Sequence, residues 1–486
     1  MSEASEPIDT AVEAGRSSTV RPVATRRQSR RLAVLGAVAV VVMGGYRAQN
    51  SAMTDPLLLA LGICMIFFAA LPAILWAWRN DRQLPAFEVM MLTGIPFYAF
   101  PLFDQNPAVA LFSDDVMFRA ATALVAFQAA TLFAFFALRG RGGRSPLWRE
   151  SLLPDSYLKH ARIGLAVTTV YQFMAQYTET IPYELASVFR AVIYGIGMLC
   201  AFILMQRWGQ KQLSTTEKAF VAINIVLQIV MHLATLYLIV GASLLLLVFI
   251  SYTTASRKLP IPILVISVGL FGFLHVGKSQ MRKIYWQPGS PGVGLSELPA
   301  FFSEWINYSI AAQAETEEGV ASKLLERTSL FHVLCIAVDA IPSRQPHLGG
   351  ETYAQIPAQF IPRLLWPDKP GPHKSNSRLA VYLGFVADEE DAQKVSIAFG
   401  TPCEAYVNFG FLGLLLLGGF YGVLFKKFAT LTADSPPLSV GGVVMVLLIA
   451  WSLQAEMTLS VWISSLYQAA VVLIGVPVGI KVLFGR

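Results

Sequence analysis

Apolar runs of about 20 residues, long enough to cross a bilayer as helices, recur along nearly the whole of this chain. Their bounds predict twelve spans. Nine come first: Leu32–Tyr46, Pro56–Trp78, Leu84–Phe103, Val116–Leu138, Ala161–Tyr177, Leu185–Gln206, two from dividing Glu217–Ala255 near Ala234 and Tyr237, and Leu259–Val276. Three more, Cys403–Leu424, Val440–Met457 and Val461–Phe484, close the chain. The composition agrees: 55% of residues are hydrophobic and 14% charged, against about 25% charged in soluble domains. Long uninterrupted runs exclude a membrane β-barrel, whose strands are short and alternate. The fold class expected is therefore all-α and polytopic.

Charge orients the spans. Arg26, Arg27, Arg30 and Arg31 precede the first; Arg79 and Arg82 follow the second; Arg139, Arg141, Arg144, Arg149 and Lys159 follow the fourth. Arg207, Lys211 and Lys218 follow the sixth, Arg257 and Lys258 the eighth, and Lys426 and Lys427 the tenth, with Lys481 and Arg486 at the end. The intervening short loops hold acids and almost no cations. Short basic loops stay in the cytoplasm, so both ends are expected there, in a bacterial inner membrane, with the loop 277–400 on the outer, periplasmic side. This pattern accounts for the net charge of +6 without nucleic acid. Residues 1–31 read as a disordered cytoplasmic tail and 32–486 as one membrane domain. The spans that follow at once argue against a cleaved signal peptide.

The outer loop is too long for an idle connection. Its stretch Ser329–Ile341 is apolar but too short to cross, which predicts a helix lying in the interface or dipping into it. Aromatics such as Tyr285, Trp286, Trp305, Tyr308, Phe331, Tyr353, Phe360 and Trp366 suit a membrane surface, and Asp388–Asp391 reads as a solvated tip. Cys64 and Cys200 sit in apolar runs; Cys335 and Cys403 are either buried thiols or a pair. There is no nucleotide-binding glycine motif and no metal-binding histidine spacing. Glu88, Glu217, His232 and Glu456 lie near span ends, whereas an ion-coupled transporter needs ionisable groups in the bilayer interior.

The loop interleaves cations with prolines and aromatics at headgroup level. Lys278, Arg282 and Lys283 run into Tyr285-Trp286; Arg327, Arg344, His347, Arg363, Lys369, His373, Lys374 and Arg378 follow. Each alone would serve as a snorkelling or charge-paired residue. Together they suit a diphosphate on a lipid, which arginine grips through its planar fork and lysine as a point charge.

Residues Lys278 to Gly410 carry a resemblance. Lys278–Trp286, Arg327-Thr328-Ser329, Gly350-Glu351-Thr352-Tyr353, Pro362-Arg363 to Lys369-Pro370, Ser396-Ile397 and Glu404-Ala405-Tyr406 to Asn408-Phe409-Gly410 together resemble the Wzy-type O-antigen and exopolysaccharide polymerases. The remaining spans match that family only in number and hydrophobicity. Glu351 departs from it, standing where a small or neutral residue is expected. The resemblance implies a GT-C-like, metal-independent glycosyltransferase without cofactor. Such an enzyme joins polyprenyl-diphosphate-linked oligosaccharides at the outer face of the inner membrane, among membrane lipids and beside a chain-length regulator protein. It also implies the site: Glu404, Arg363 and Lys369 catalytic, with Lys278, Arg282, Arg327, Arg344, His347, Tyr353, Trp366, Asp368, Tyr406 and Asn408 binding substrate. The chemistry is coherent. Cations stabilise the leaving diphosphate, and a carboxylate takes the proton of the attacking hydroxyl. Glu404, opening an otherwise apolar span, suits that base; Asp368 and Asp339 are weaker candidates. Pairing with a loop cation is the alternative role for Glu404. A ligase that passes glycan to another acceptor and a non-catalytic polysaccharide or lipid transporter remain the alternative functions.

Overall fold

The computed structural model describes residues 26–51, 53, 55–81, 83–103, 108–138, 146–150, 157–178, 183–285, 293–314, 329–361, 365–366, 368–394, 397–436, 439–475 and 478. All the regular structure among them is helical, without a β-strand. The longer helices are α1 (Arg26–Asn50), α2 (Pro56–Arg79), α3 (Ala86–Phe103, with a π turn at Ile95–Ala99), α4 (Asp114–Ala137), α5 (Tyr157–Tyr177), α6 (Tyr183–Gly209) and α7 (Thr215–Ala234). They continue with α8 (Leu238–Ser256), α9 (Ile261–Tyr285), α10 (Leu298–Ala314), α11 (Leu330–Ala340), α12 (Gly400–Leu431), α13 (Val440–Ser452) and α14 (Leu459–Ala470). Among the described residues, seven helices are long and apolar enough to cross a membrane by themselves: α1, α2, α3, α4, α7, the Ile261–Lys278 part of α9, and α12. The chain is a helical membrane protein.

Local signals set the helix ends. Asp55 accepts the Leu57 N–H and Pro56 opens α2, while Asn80 closes it in the left-handed region (φ 53°). Ser214 and Glu217 form a reciprocal capping box on α7, which satisfies two of the donors left open at a helix start. The long run divided at Ala234 and Tyr237 turns there, through Leu236 at φ 58°.

One core joins α2, α3, α4, α11, α12 and α13. Smaller clusters hold α5 to α8 together, and α9 against α10. Lipid gives helices no hydrophobic reason to associate, so close backbone approach at small residues does the work. Gly418 and Gly422 of α12 provide it. A Cβ on Gly418 would stand 2.5 Å from the Phe127 carbonyl oxygen, and one on Gly422 2.4 Å from that of Thr131, both on α4.

Two parts of the long loop are more deeply placed than its aromatic content suggests. Helix α11 does not lie along a surface. Leu330, Phe331, Val333, Leu334, Cys335, Ala337 and Val338 are all buried, while His332, Ile336 and Asp339 lie on a less buried face. Trp305 is fully buried on α10, its indole N–H donating to the Leu274 carbonyl of α9 at 2.7 Å. The four cysteines are free thiols.

Gly422→Ala drives a carbon into a backbone that cannot yield and should cost about 1–3 kcal/mol. Gly419→Ala, where nothing lies within 4 Å, should cost nothing measurable. Thermal unfolding of both variants in detergent checks this; equal midpoints would show that the α4–α12 contact does not need its glycines.

Candidate functional site

Helix α12 is broken at Gly410, whose φ of 60° and ψ of −145° are not helical. A break exposes the preceding carbonyls, which must find donors inside the protein. The loop after α11 supplies them: Leu348 N–H donates to the Val407 carbonyl at 3.1 Å and Gly349 N–H to that of Asn408 at 3.0 Å. The turn is closed by glycines for two reasons. Gly349 and Gly350 have φ of 61° and 96°, and a Cβ on Gly350 would stand 2.9 Å from the Phe409 ring. Gly410 has its own crowding, since a Cβ there would meet His347 at 2.9 Å.

Asn408 locks this junction. Fully buried, it accepts the Gly350 N–H at 3.0 Å and donates at 2.8 Å both to the Thr352 hydroxyl and to the Glu404 carbonyl. Tyr353 stacks on Phe409 with ring centroids 6.2 Å apart. Burial, helped by the nearby Glu404 charge, pushes the Tyr353 phenol well above its ordinary range, so it stays a neutral donor. His347 meets Tyr406 edge-on at 6.2 Å, and the Tyr406 hydroxyl donates to the Ile341 carbonyl at 3.4 Å. Thus the Gly350–Tyr353 and Glu404–Gly410 motifs form one structure.

Glu404 is fully buried within it. Its Oε2 accepts the Leu459 N–H at 2.6 Å. Leu459 opens α14, whose N-cap residue Thr458 donates its hydroxyl to Asn376 at 2.6 Å instead of capping the helix. The positive end of a helix favours a carboxylate. Among the described residues, Oε1 has no hydrogen-bond partner of ordinary geometry. The partner that fixes this side chain is therefore a helix start, where the sequence suggested a loop cation.

The predicted cations go separate ways. Lys278 and Arg282 lie one turn apart on α9 and act together on Glu456, an acid in the turn between α13 and α14. Burial raises the Glu456 carboxyl while these two cations pull it down. The same turn reaches the Glu404 region, because the Glu456 carbonyl accepts the Gly400 N–H at 3.1 Å. Arg344 pairs with Asp339. Arg378 makes a two-pronged bond to Glu351 at 2.8 and 3.1 Å, which raises the guanidinium further and gives Glu351 a structural partner. Lys369 is buried, its ammonium donating to the carbonyls of Ala358, Gln359 and Ile361 at 3.2, 3.4 and 2.6 Å. It closes the C-terminal end of the short helix Ile356–Gln359 rather than facing outward as expected. Trp366 and Asp368 are exposed beside it. Arg327 and Arg363 lie outside the described residues.

Sequence reasoning set Glu456 aside as a residue near a span end; that Lys278 and Arg282 act on its charge depends on distant segments coming near one another. Thr352 and Thr458, which build the surroundings of Glu404, carry no signal beyond being polar. No protein-family model, curated protein or solved structure matches this chain.

Asn408→Leu removes three hydrogen bonds and leaves buried groups unpaired at about 1–3 kcal/mol each. The unfolding midpoint should fall, and the Leu348–Gly350 amides should exchange with deuterium far faster. Asn408→Asp, which keeps the acceptor for Gly350, should fall between Leu and the parent. Unchanged exchange in Asn408→Leu would refute the lock.

Proposed function

We propose that this protein is a membrane glycosyltransferase that polymerises polyprenyl-diphosphate-linked oligosaccharides. In this reading the chain crosses the bacterial inner membrane twelve times, with both ends in the cytoplasm and the loop 277–400 outside. The observation that carries the reading is a fully buried carboxylate, Glu404, held by the start of α14 and flanked by the Thr352 hydroxyl. It stands at a helix break where two segments bearing the polymerase resemblance meet. The regular alternation of basic and acidic loops supports the topology.

The lipid tail would hold the substrate at the protein's edge, at about 0.8 kcal/mol per buried CH₂, and set its diphosphate at headgroup depth. Lys278 and Arg282 then receive the diphosphate, with Glu456 orienting them. A hydroxyl of the acceptor sugar attacks the anomeric carbon of the donor. The carbon–oxygen bond to diphosphate breaks, polyprenyl diphosphate leaves with the electron pair, and Glu404 Oε1 takes the hydroxyl proton. Asn408 and Thr352 hold the helix segment that carries Glu404, and neutral Tyr353 offers a donor to a sugar oxygen. Lys369 and Arg344 maintain loop structure in this scheme. A chain-length regulator is the expected partner.

Purified protein in lipid nanodiscs, given polyprenyl-diphosphate-linked repeats, should yield a ladder of products and release polyprenyl diphosphate. Glu404→Gln retains an acceptor for the Leu459 N–H, so its melting point should stay near the parent's while turnover falls by about 10²-fold or more. A stable Gln variant with parental turnover would remove Glu404 from the chemistry. Transfer only to an added unrelated acceptor would identify a ligase instead.

A further inference from the structure

Away from the helix break, at the end where α2 and α12 finish, a cavity of about 390 Å³ opens between α2, α3, α4 and α12. One wall is aromatic. Phe87 and Phe135 lie face to face with centroids 3.7 Å apart, and Phe136 meets Phe87 edge-on at 6.4 Å. Two cations stand on that wall: Lys426 is 5.1 Å from the Phe135 ring and Arg79 5.9 Å from that of Phe136. Contact with a ring face holds such cations in place while leaving their N–H donors for an anion.

The lining also carries acids. Asp434 is neutralised from outside the cavity by Arg149, at 3.3 Å. Glu88 and Asp81 lie on the side toward Arg257, which stacks on Trp76 at 3.6 Å and donates to the Asp81 carbonyl. The lining therefore carries both signs, Arg79 and Lys426 on the ring wall and Glu88 and Asp81 elsewhere in it, with Arg257 balancing part of the acidity from outside. A simple anion would be repelled by the carboxylates, and a simple cation would be repelled by Arg79 and Lys426. A headgroup with a phosphate and an ammonium matches both. Carboxylates reward N–H donors, which a primary ammonium has and a trimethylammonium lacks. From the cavity wall outward along α4, Phe136 and Phe133 leave 40% and 75% of their surface exposed, an apolar track for acyl chains at the membrane edge.

We propose that this cavity binds the headgroup of a zwitterionic phospholipid with a primary ammonium, its phosphate on Arg79 and Lys426 and its ammonium on Glu88 and Asp81. The site is separate from the polymerisation site and does not rest on that reading.

Native mass spectrometry of the purified full-length protein tests it by titration with phosphatidylethanolamine, phosphatidylcholine and phosphatidylglycerol of identical chains. Phosphatidylethanolamine should bind about 10-fold tighter than either of the others, a difference of about 1.4 kcal/mol. Glu88→Gln should bring it level with phosphatidylcholine, and Lys426→Ala should weaken both zwitterionic lipids together. The comparison on the parent protein decides the matter even if a variant fails to fold. Equal binding of the three lipids, or a preference for phosphatidylglycerol, would overturn the proposal. Displacement of the lipid by millimolar soluble phosphoethanolamine would show a site for a free zwitterion and overturn the lipid assignment.

Discussion

A membrane helix cannot be interrupted unless the backbone groups it frees are satisfied within the protein. At Gly410 that constraint organises the surrounding structure. The Val407 and Asn408 carbonyls draw in the Leu348 and Gly349 amides, which fixes where the loop after α11 must dock. Docking at that distance requires glycine at 349 and 350, and it seats Thr352 and Tyr353 beside Glu404. The Asn408 side chain ties both strands of the junction together. The break is also why Glu404 is buried one short segment away from the start of α14, where it caps the Leu459 amide.

That single hydrogen bond serves two ends. It stabilises the start of α14 and fixes the orientation of the buried carboxyl, which in the proposed function is the proton acceptor. Preorganisation of this kind is what a proton acceptor in a low-dielectric site requires. Because the carboxyl caps α14 whatever else it does, stability and turnover must be measured together for any change at Glu404.

Much of the helical layout was legible in the sequence. Apolar runs mark the helices because a lipid-facing backbone has almost no other choice, and the division near Ala234 and Tyr237 falls at the observed turn. The motif residues Gly350, Tyr353, Glu404 and Asn408, distant in the chain, come together at the helix break. The loop was legible only in part, because it lacks a period and its packing is decided by distant contacts. Lys369 has the composition of an outward cation but closes a short helix from within. Ser329–Ile341 has the length of a segment that lies in the interface or dips into it, and its wide apolar face packs into the core. Arg344 and Arg378 have local acidic partners, Asp339 and Glu351, that spacing alone does not reveal. The burial of Trp305 against Leu274 likewise depends on α10 folding back along α9.

The central claim is that the chain extends a glycan on its lipid carrier, and the polysaccharide of cells lacking it reads this most directly. Gel analysis of lipid-linked and acceptor-linked glycan from a deletion strain should show single repeat units and no longer products, with the full ladder restored by the intact gene. Long glycan of normal abundance in the deletion strain would contradict the account.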